Sequence, residues 1–280
     1  MVKKENLTVC AGGRLMDFSR PRVMGIINVT PDSFYSGSRV SDREALCRRV
    51  REMRRSGVDI LDIGGYSTRP GCAEISEREE YDRLAYALEE VRREWEECVI
   101  SVDTFRSRVA RRCVEGWNVE IINDIGGGSL DEDMFATVAE LKVAYVLMHM
   151  RGTPQTMGRF AEYSDVAAEV LSEMAFSLAE LRRLGVCDII IDPGFGFAKS
   201  VEQNFQLLSH LELFQTFGLP VLAGMSRKRM VWESLGGSPE DSLNGTTALN
   251  MVALMKGADI LRVHDVAAAG ECVRLFTRLS

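Results

Sequence analysis

The sequence predicts an α/β protein: a single (β/α)₈ barrel of eight parallel strands, with residues 1–280 as one domain. Three observations carry this. Eight short runs rich in Val, Ile and Leu recur from end to end, separated by longer amphipathic stretches. No run is followed by G-x-G-x-x-G, which weighs against the main rival, an open doubly wound sheet. Polar residues stand at the C-terminal end of nearly every run, rather than at one switch point, and a barrel builds its site from those ends.

The runs are Val23–Asn28, Val58–Ile63, Val99–Asp103, Val119–Asn123, Val143–His149, Asp188–Asp192, Pro220–Gly224 and Asp259–His264. Their near-continuous apolar content suits parallel strands covered on both faces. Between them, Ser41-Asp42-Arg43-Glu44 and Ser76-Glu77-Arg78-Glu79 match the capping-box pattern at helix starts. Apolar stripes follow: Ala45, Leu46, Val50 and Met53 after the first, and Leu84, Ala85, Leu88, Val91 and Trp95 after the second. Asp165–Leu184 is a further long amphipathic segment that stops at Gly185. Gly57, Gly116 and Gly257 each precede a strand, as helix-ending glycines do. Residues 1–22 are expected to form a short hairpin or lid before the first strand.

Lys and Arg total 34 against 41 Asp and Glu, a net charge of −7, which argues against a nucleic-acid surface. A few converging cations could still hold a small anion. The seven cysteines, at 10, 47, 72, 98, 113, 187 and 272, include no C-x-x-C and are expected to be reduced thiols. Met1-Val2-Lys3-Lys4-Glu5-Asn6 leads into no apolar run, and no uncharged apolar stretch approaches the roughly 18 residues of a membrane span. No membrane partner and a cytoplasmic location are therefore expected.

The strand ends read Asn28-Val29-Thr30-Pro31-Asp32, Gly64-Gly65-Tyr66-Ser67-Thr68-Arg69-Pro70, Asp103-Thr104, Asn123-Asp124, His149-Met150, Asp192-Pro193, Ser226-Arg227-Lys228 and Arg262-Val263-His264-Asp265. Each has a plain structural reading. Asp103 could cap a helix, Asp192 could serve a turn, and His149 is best read as a satisfied core histidine. The N-terminal strand ends read mostly as Gly, Pro and small turns, so the polarity looks one-sided. Asp103, Asn123 and Asp192 offer acceptors and an amide suited to a flat heterocycle with ring nitrogens and an exocyclic amine, and Lys228 offers a donor. Arg262 and His264 follow the eighth strand, the usual phosphate corner, and Ser226 is read as opening a helix whose N–H groups could hold a second anion. No Ser-His-Asp arrangement and no H-E-x-x-H spacing occur, so positioning and electrostatics are the expected catalytic means. Thr30–Ser38 and Tyr66–Gly71 are read as lids that exclude water.

The segments MGIINVTPDSF, DIGGYSTRPG, SVDT, INDIGG, LMHMRG, DPGFGFAK, GMSRK and LRVHDV occur in the order and spacing of dihydropteroate synthases, and the chain resembles that family over nearly its whole length. The resemblance implies condensation of 6-hydroxymethyl-7,8-dihydropterin pyrophosphate with p-aminobenzoate, a folate-biosynthesis step blocked by sulfonamides, with Mg²⁺ as cofactor and a homodimer as assembly. It implies pterin contacts from Asp103, Asn123, Met148, Asp192 and Lys228. It places pyrophosphate on Asn28, Arg262 and His264, with Asn28 also the metal ligand. It places p-aminobenzoate by Thr68, Arg69, Pro70, Phe197 and Ser226, and gives Asp103, Lys228 and Arg69 catalytic roles. Two loop carboxylates usual in the family are absent: Ser36 stands for an aspartate and Tyr66 for a glutamate.

Three other readings are weaker. A non-catalytic pterin-binding protein of the same fold is motivated by the two altered loops. A pterin-dependent methyltransferase domain would not need STRPG or the Arg262–His264 pair. A sugar-phosphate barrel enzyme would more naturally place a Schiff-base lysine on a mid-barrel strand.

Overall fold

The protein is described by a computed structural model over residues 7–29, 39–67 and 74–279. The expectations for Thr68, Arg69, Pro70, Ser36 and the Thr30–Ser38 loop fall outside those residues.

Eight parallel strands form the barrel: β3 (Arg22–Asn28), β4 (Ile60–Gly64), β5 (Val99–Asp103), β6 (Ile121–Asp124), β7 (Ala144–Met148), β8 (Ile189–Asp192), β9 (Leu222–Ala223) and β10 (Ile260–Val263). They neighbour one another in the order β8-β7-β6-β5-β4-β3-β10-β9. An Ile191–Val221 bridge joins the two edges, and the Ile191 N–H donates to Pro220 O at 2.8 Å. Helices lie outside: α1 (Arg39–Arg55), α2 (Glu77–Glu94), α3 (Ser107–Trp117), α4 (Met134–Leu141), α5 (Val166–Arg183), α6 (Val201–Ser209), α7 (Arg229–Trp232), α8 (Leu243–Met255) and α9 (Val266–Leu279). None of them is long and apolar enough to cross a membrane.

Local sequence accounts for several helix ends. Ser76 accepts from the Glu79 N–H at 3.1 Å, and Asp165 caps α5 through the Ala168 N–H at 3.0 Å. The helix α1 starts at Arg39, two residues before the Ser41 signal. Gly57 (φ 79°), Gly185 (φ 85°) and Gly257 (φ 94°) adopt the left-handed conformation that ends a helix. Gly116 does not; it lies inside α3, and Asn118 (φ 50°) takes the cap position instead.

Strand alternation separates two layers of packing. Val23, Leu61, Ile63, Ile100, Val102, Ile122, Tyr145 and Leu147 face the helices in the large outer core. Met24, Ile60, Ile121, Ala144, Val146, Ile190, Leu222 and Ile260 fill the barrel interior. The interior packs against Val9, Ala11 and Phe18 of an N-terminal hairpin, whose strands β1 (Thr8–Ala11) and β2 (Arg14–Asp17) pair antiparallel. The hairpin therefore covers the end of the barrel opposite the polar strand ends.

That lower end is itself polar, contrary to the one-sided distribution expected. Asp59 accepts from the Val23 N–H (2.9 Å), Glu120 from Ile100 (2.8 Å), Asp188 from Cys10 (2.6 Å) and Asp259 from Val221 (2.9 Å). Each carboxylate just before a strand satisfies a backbone donor on an adjoining segment, which tailors the strand starts together.

Candidate active site

The alternation that buries Ile60 and Ile260 inside the barrel carries Asp62 and Arg262, two residues further on, inward as well. At this level the interior turns polar. Arg262 Nε donates to Asp62 Oδ2 at 2.7 Å, and its Nη2 reaches Asp62 Oδ2 and Asp103 Oδ2, both at 2.6 Å. Asn123 Nδ2 donates to Asp62 Oδ2 at 3.2 Å. Asp62 is fully buried and Asn123 nearly so. Burial lifts the Asp103 carboxyl above the usual range, with Arg262 pulling the other way and Asp62 adding to the rise. Burial alone would depress Arg262, but Asp62 and Asp103 more than offset it and keep the guanidinium charged.

Asp62 was not singled out from the sequence. The structure makes it the centre of this floor, tied to Arg262 and Asn123. It also ties Arg262 to the floor, while His264 bonds elsewhere.

The loop after β8 makes one wall. Asp192 accepts from the Gly194 N–H at 2.8 Å, and burial raises its carboxyl pKa against the pull of Lys228. Lys228 Nζ donates to the Phe195 carbonyl and stands 4.6 Å from the centre of the Phe197 ring. Burial lowers the Lys228 ammonium to about 8, Asp192 opposing. Phe197 packs against the buried cluster of Ile125, Met148 and Met150. Glycine is required at 194: φ is 74°, and a Cβ there would stand 1.9 Å from His149 O. Behind the loop, Lys199 Nζ donates to Gly194 O (3.0 Å), Phe197 O (3.0 Å) and His149 Nδ1 (3.1 Å), while His149 Nε2 pairs with Glu173 Oε2 at 2.9 Å. His149 is thus the satisfied buried histidine expected, and burial lowers it to about 4.

The opposite wall holds Ser226 and His264. The His264 backbone N–H donates to Ser226 Oγ at 3.1 Å, and His264 Nδ1 lies 3.0 Å from the same oxygen. Ser226 does not open a helix. Arg227 takes a left-handed φ of 58°, the Lys228 N–H closes a turn onto Met225 O at 3.1 Å, and α7 starts only at Arg229 with Lys228 as its N-cap. Arg227 pairs with Asp265 at 2.9 Å. A cleft of about 420 Å³ is lined here by Asn28, Arg48, Arg49, Arg227 and His264. Tyr66 packs edge-on against Phe105 at 5.3 Å, lies under the Arg106 guanidinium at 5.4 Å, and accepts from Gln155 Nε2 at 3.3 Å.

Asn28 ends β3 beside Gly64. A Cβ on Gly64 would stand 3.4 Å from Asn28 Oδ1 and 3.6 Å from Asp103 Cβ, so the glycine keeps the space between them open. Among the described residues no group of three or more His, Cys, Asp or Glu could hold a metal. One amide oxygen fits a hard cation whose other ligands are substrate phosphates and water.

The model of the family described as "Pterin binding enzyme" matches residues 24–264. The chain is 40% identical to the dihydropteroate synthase of Escherichia coli strain K12 over 267 residues, covering 95% of this chain and 94% of that one. It resembles the solved dihydropteroate synthase of Xanthomonas albilineans with 4-aminobenzoic acid at a TM-score of 0.89 and 38% identity, covering 98% of each chain. The same enzyme in complex with 7,8-dihydropteroate matches at a TM-score of 0.86 and 36% identity, covering 97% of this chain and 98% of that one. The chain belongs to the pterin-binding enzyme family and, within it, to the dihydropteroate synthases.

Proposed function

We propose that the chain condenses 6-hydroxymethyl-7,8-dihydropterin pyrophosphate with p-aminobenzoate to give 7,8-dihydropteroate and pyrophosphate. The observation that carries this is the buried floor of Asp62, Asp103, Asn123 and Arg262, flanked by Asp192 and Lys228. It offers carboxyl acceptors, an amide and cationic donors at one level, which suits the edge of an aminopyrimidine ring. The relatives solved with 4-aminobenzoic acid and with 7,8-dihydropteroate support both substrates.

In this reading Asp192 and Asn123 receive the pterin amine and ring nitrogens, Lys228 donates to a ring carbonyl or nitrogen, and Met148 packs on the ring. The methylene C–O bond breaks and its electron pair leaves with pyrophosphate. Asp103 opposes the positive charge that develops on the pterin methylene, and Arg262 holds the Asp103 carboxyl in place. The amine of p-aminobenzoate forms the new C–N bond and gives up a proton. Phe197 packs on its ring, with Ser226, Thr68, Arg69 and Pro70 on the carboxylate side. His264 and Asn28 meet the pyrophosphate. Mg²⁺, when bound through Asn28, would offset the leaving charge. Asn28 Oδ1 beside the open space at Gly64 supports that assignment.

We further infer a homodimer in the cytoplasm. Val252 and Met255 of α8 and Leu275 and Leu279 of α9, two helices that pack together, expose large apolar side chains and support a covered face there.

The deciding experiment follows pyrophosphate release with the pterin pyrophosphate, p-aminobenzoate and Mg²⁺. Release should require both organic substrates and the metal, with dihydropteroate as product. Binding of the pterin pyrophosphate without product would refute the synthase reading and favour a non-catalytic binder.

A further inference from the structure

Two half-buried lysines grip the loop after β8 from opposite sides. Lys228 holds the Phe195 carbonyl on the side of the floor. Lys199 holds the carbonyls of Gly194 and Phe197 from behind, and its third donor goes to His149 Nδ1. An ammonium has three N–H donors, so these three acceptors use all of them and leave none for a substrate. The loop between the lysines has a demanding backbone. Alternate residues, Gly194 (φ 74°), Gly196 (φ 80°) and Ala198 (φ 49°), are left-handed, and the last has a side chain. Asn204 completes the clamp: its Oδ1 accepts from the Gly196 N–H at 2.6 Å and its Nδ2 donates to Ser200 O at 2.7 Å.

We propose that Lys199 is a positioning residue for the second substrate, fixing the backbone that aims the Phe197 ring while touching neither substrate itself. The loop meets the pterin contacts at two points, the Gly194 N–H to Asp192 and the Phe195 carbonyl to Lys228, while its grip on Phe197 is direct. Phe197 is held through its own carbonyl by Lys199. Asp192 and Asn123 are strand residues whose places come from the barrel ladder. Loosening the loop should therefore cost p-aminobenzoate more than pterin. Through His149, which follows β7, Glu173 of α5 braces Lys199 and links the wall to the barrel exterior.

The inference rests on the reading that Phe197 faces p-aminobenzoate, so the test uses three variants of the full chain: Lys199→Met, Lys199→Gln and Phe197→Ala. For each, the KM for p-aminobenzoate and the Kd of the pterin pyrophosphate by calorimetry are measured with Mg²⁺. Lys199→Met removes all three donors at similar length and should raise the KM about tenfold, with the Kd changing by less than about threefold. Lys199→Gln keeps one donor and should fall between wild type and Lys199→Met; it decides alone if the Met variant does not fold. If Phe197→Ala raises the KM and neither Lys199 variant does, the positioning role is overturned while the substrate assignment stands. If KM and Kd rise in parallel, Lys199 serves general stability and the proposal is overturned. If Phe197→Ala leaves the KM unchanged, the substrate assignment beneath the proposal is overturned as well.

Discussion

Replacing Arg262 by Met tests whether the guanidinium is the counter-ion of the barrel floor. Its bonds to Asp62 and Asp103 are 2.6–2.7 Å long, and Asp62 is fully buried. At an effective dielectric of ~20, a unit-charge pair at ~4 Å attracts by ~4 kcal/mol, which is of the size needed to offset burying a carboxylate. Methionine fills much of the volume but supplies no charge, so two buried acids lose their partner and the variant should be destabilised by about 3–5 kcal/mol at pH 8. The pH dependence has a definite sign. Burial already raises Asp103 above its ordinary value of 3.8, and loss of Arg262 raises it further. The folded variant then holds a proton that the unfolded chain gives up, so its stability falls as pH rises above ~4, by ~1.4 kcal/mol per unit per proton until the folded-state pKa is passed. Urea titrations of wild type and variant at pH 5.5 and pH 8 should show a deficit of about 1–2 kcal/mol at the lower pH and the larger value at the higher. The double variant Arg262→Met/Asp62→Asn should recover about 2 kcal/mol at pH 8, because one orphaned carboxylate is gone. A deficit below ~1 kcal/mol at pH 8, or one equal at both pH values, would refute the counter-ion argument.

Two further substitutions separate chemistry from folding. Asp103→Asn leaves Arg262 paired with Asp62, so thermal melting should move by only a few degrees while kcat falls about 10²–10³-fold; a sharp loss of melting temperature with turnover intact would contradict the role given to Asp103. Gly194→Ala places a methyl 1.9 Å from His149 O at φ 74° and should destabilise by about 2 kcal/mol or more in urea titration; an unchanged midpoint would show that the loop has another conformation.

How much of this was legible beforehand follows from which signals are local. Strands and helices read well because parity, capping residues and terminal glycines act over a few residues, as at Ser76 and Gly185. Gly116 misled because the left-handed position fell two residues later, on Asn118, a shift that local pattern does not resolve. Asp62 was readable in principle. An acid at the centre of an apolar run, two residues beyond the inward-facing Ile60, has to face the barrel interior, and Arg262 stands in the same relation to Ile260. Lys199 offered no such clue, because its role depends on His149, 50 residues away in sequence. The polarity of the strand ends was the least discriminating signal, since Asp59, Glu120, Asp188 and Asp259 make the lower end equally acidic. Partner type alone does not separate the two ends: Asp59 also pairs with Arg20 and Arg22 and Glu120 with Arg92, while Asp192 at the upper end accepts the Gly194 N–H. Each lower carboxylate accepts a backbone N–H and thereby completes the fold. Asp62 and Asp103 instead spend their strongest bonds on the side chain of Arg262, a cation that could exchange one carboxylate for a ligand without breaking any strand pairing. A carboxylate that holds the backbone N–H of a neighbouring segment cannot change partner without loosening the fold, whereas Asp62 and Asp103 can exchange partners at Arg262 without that cost.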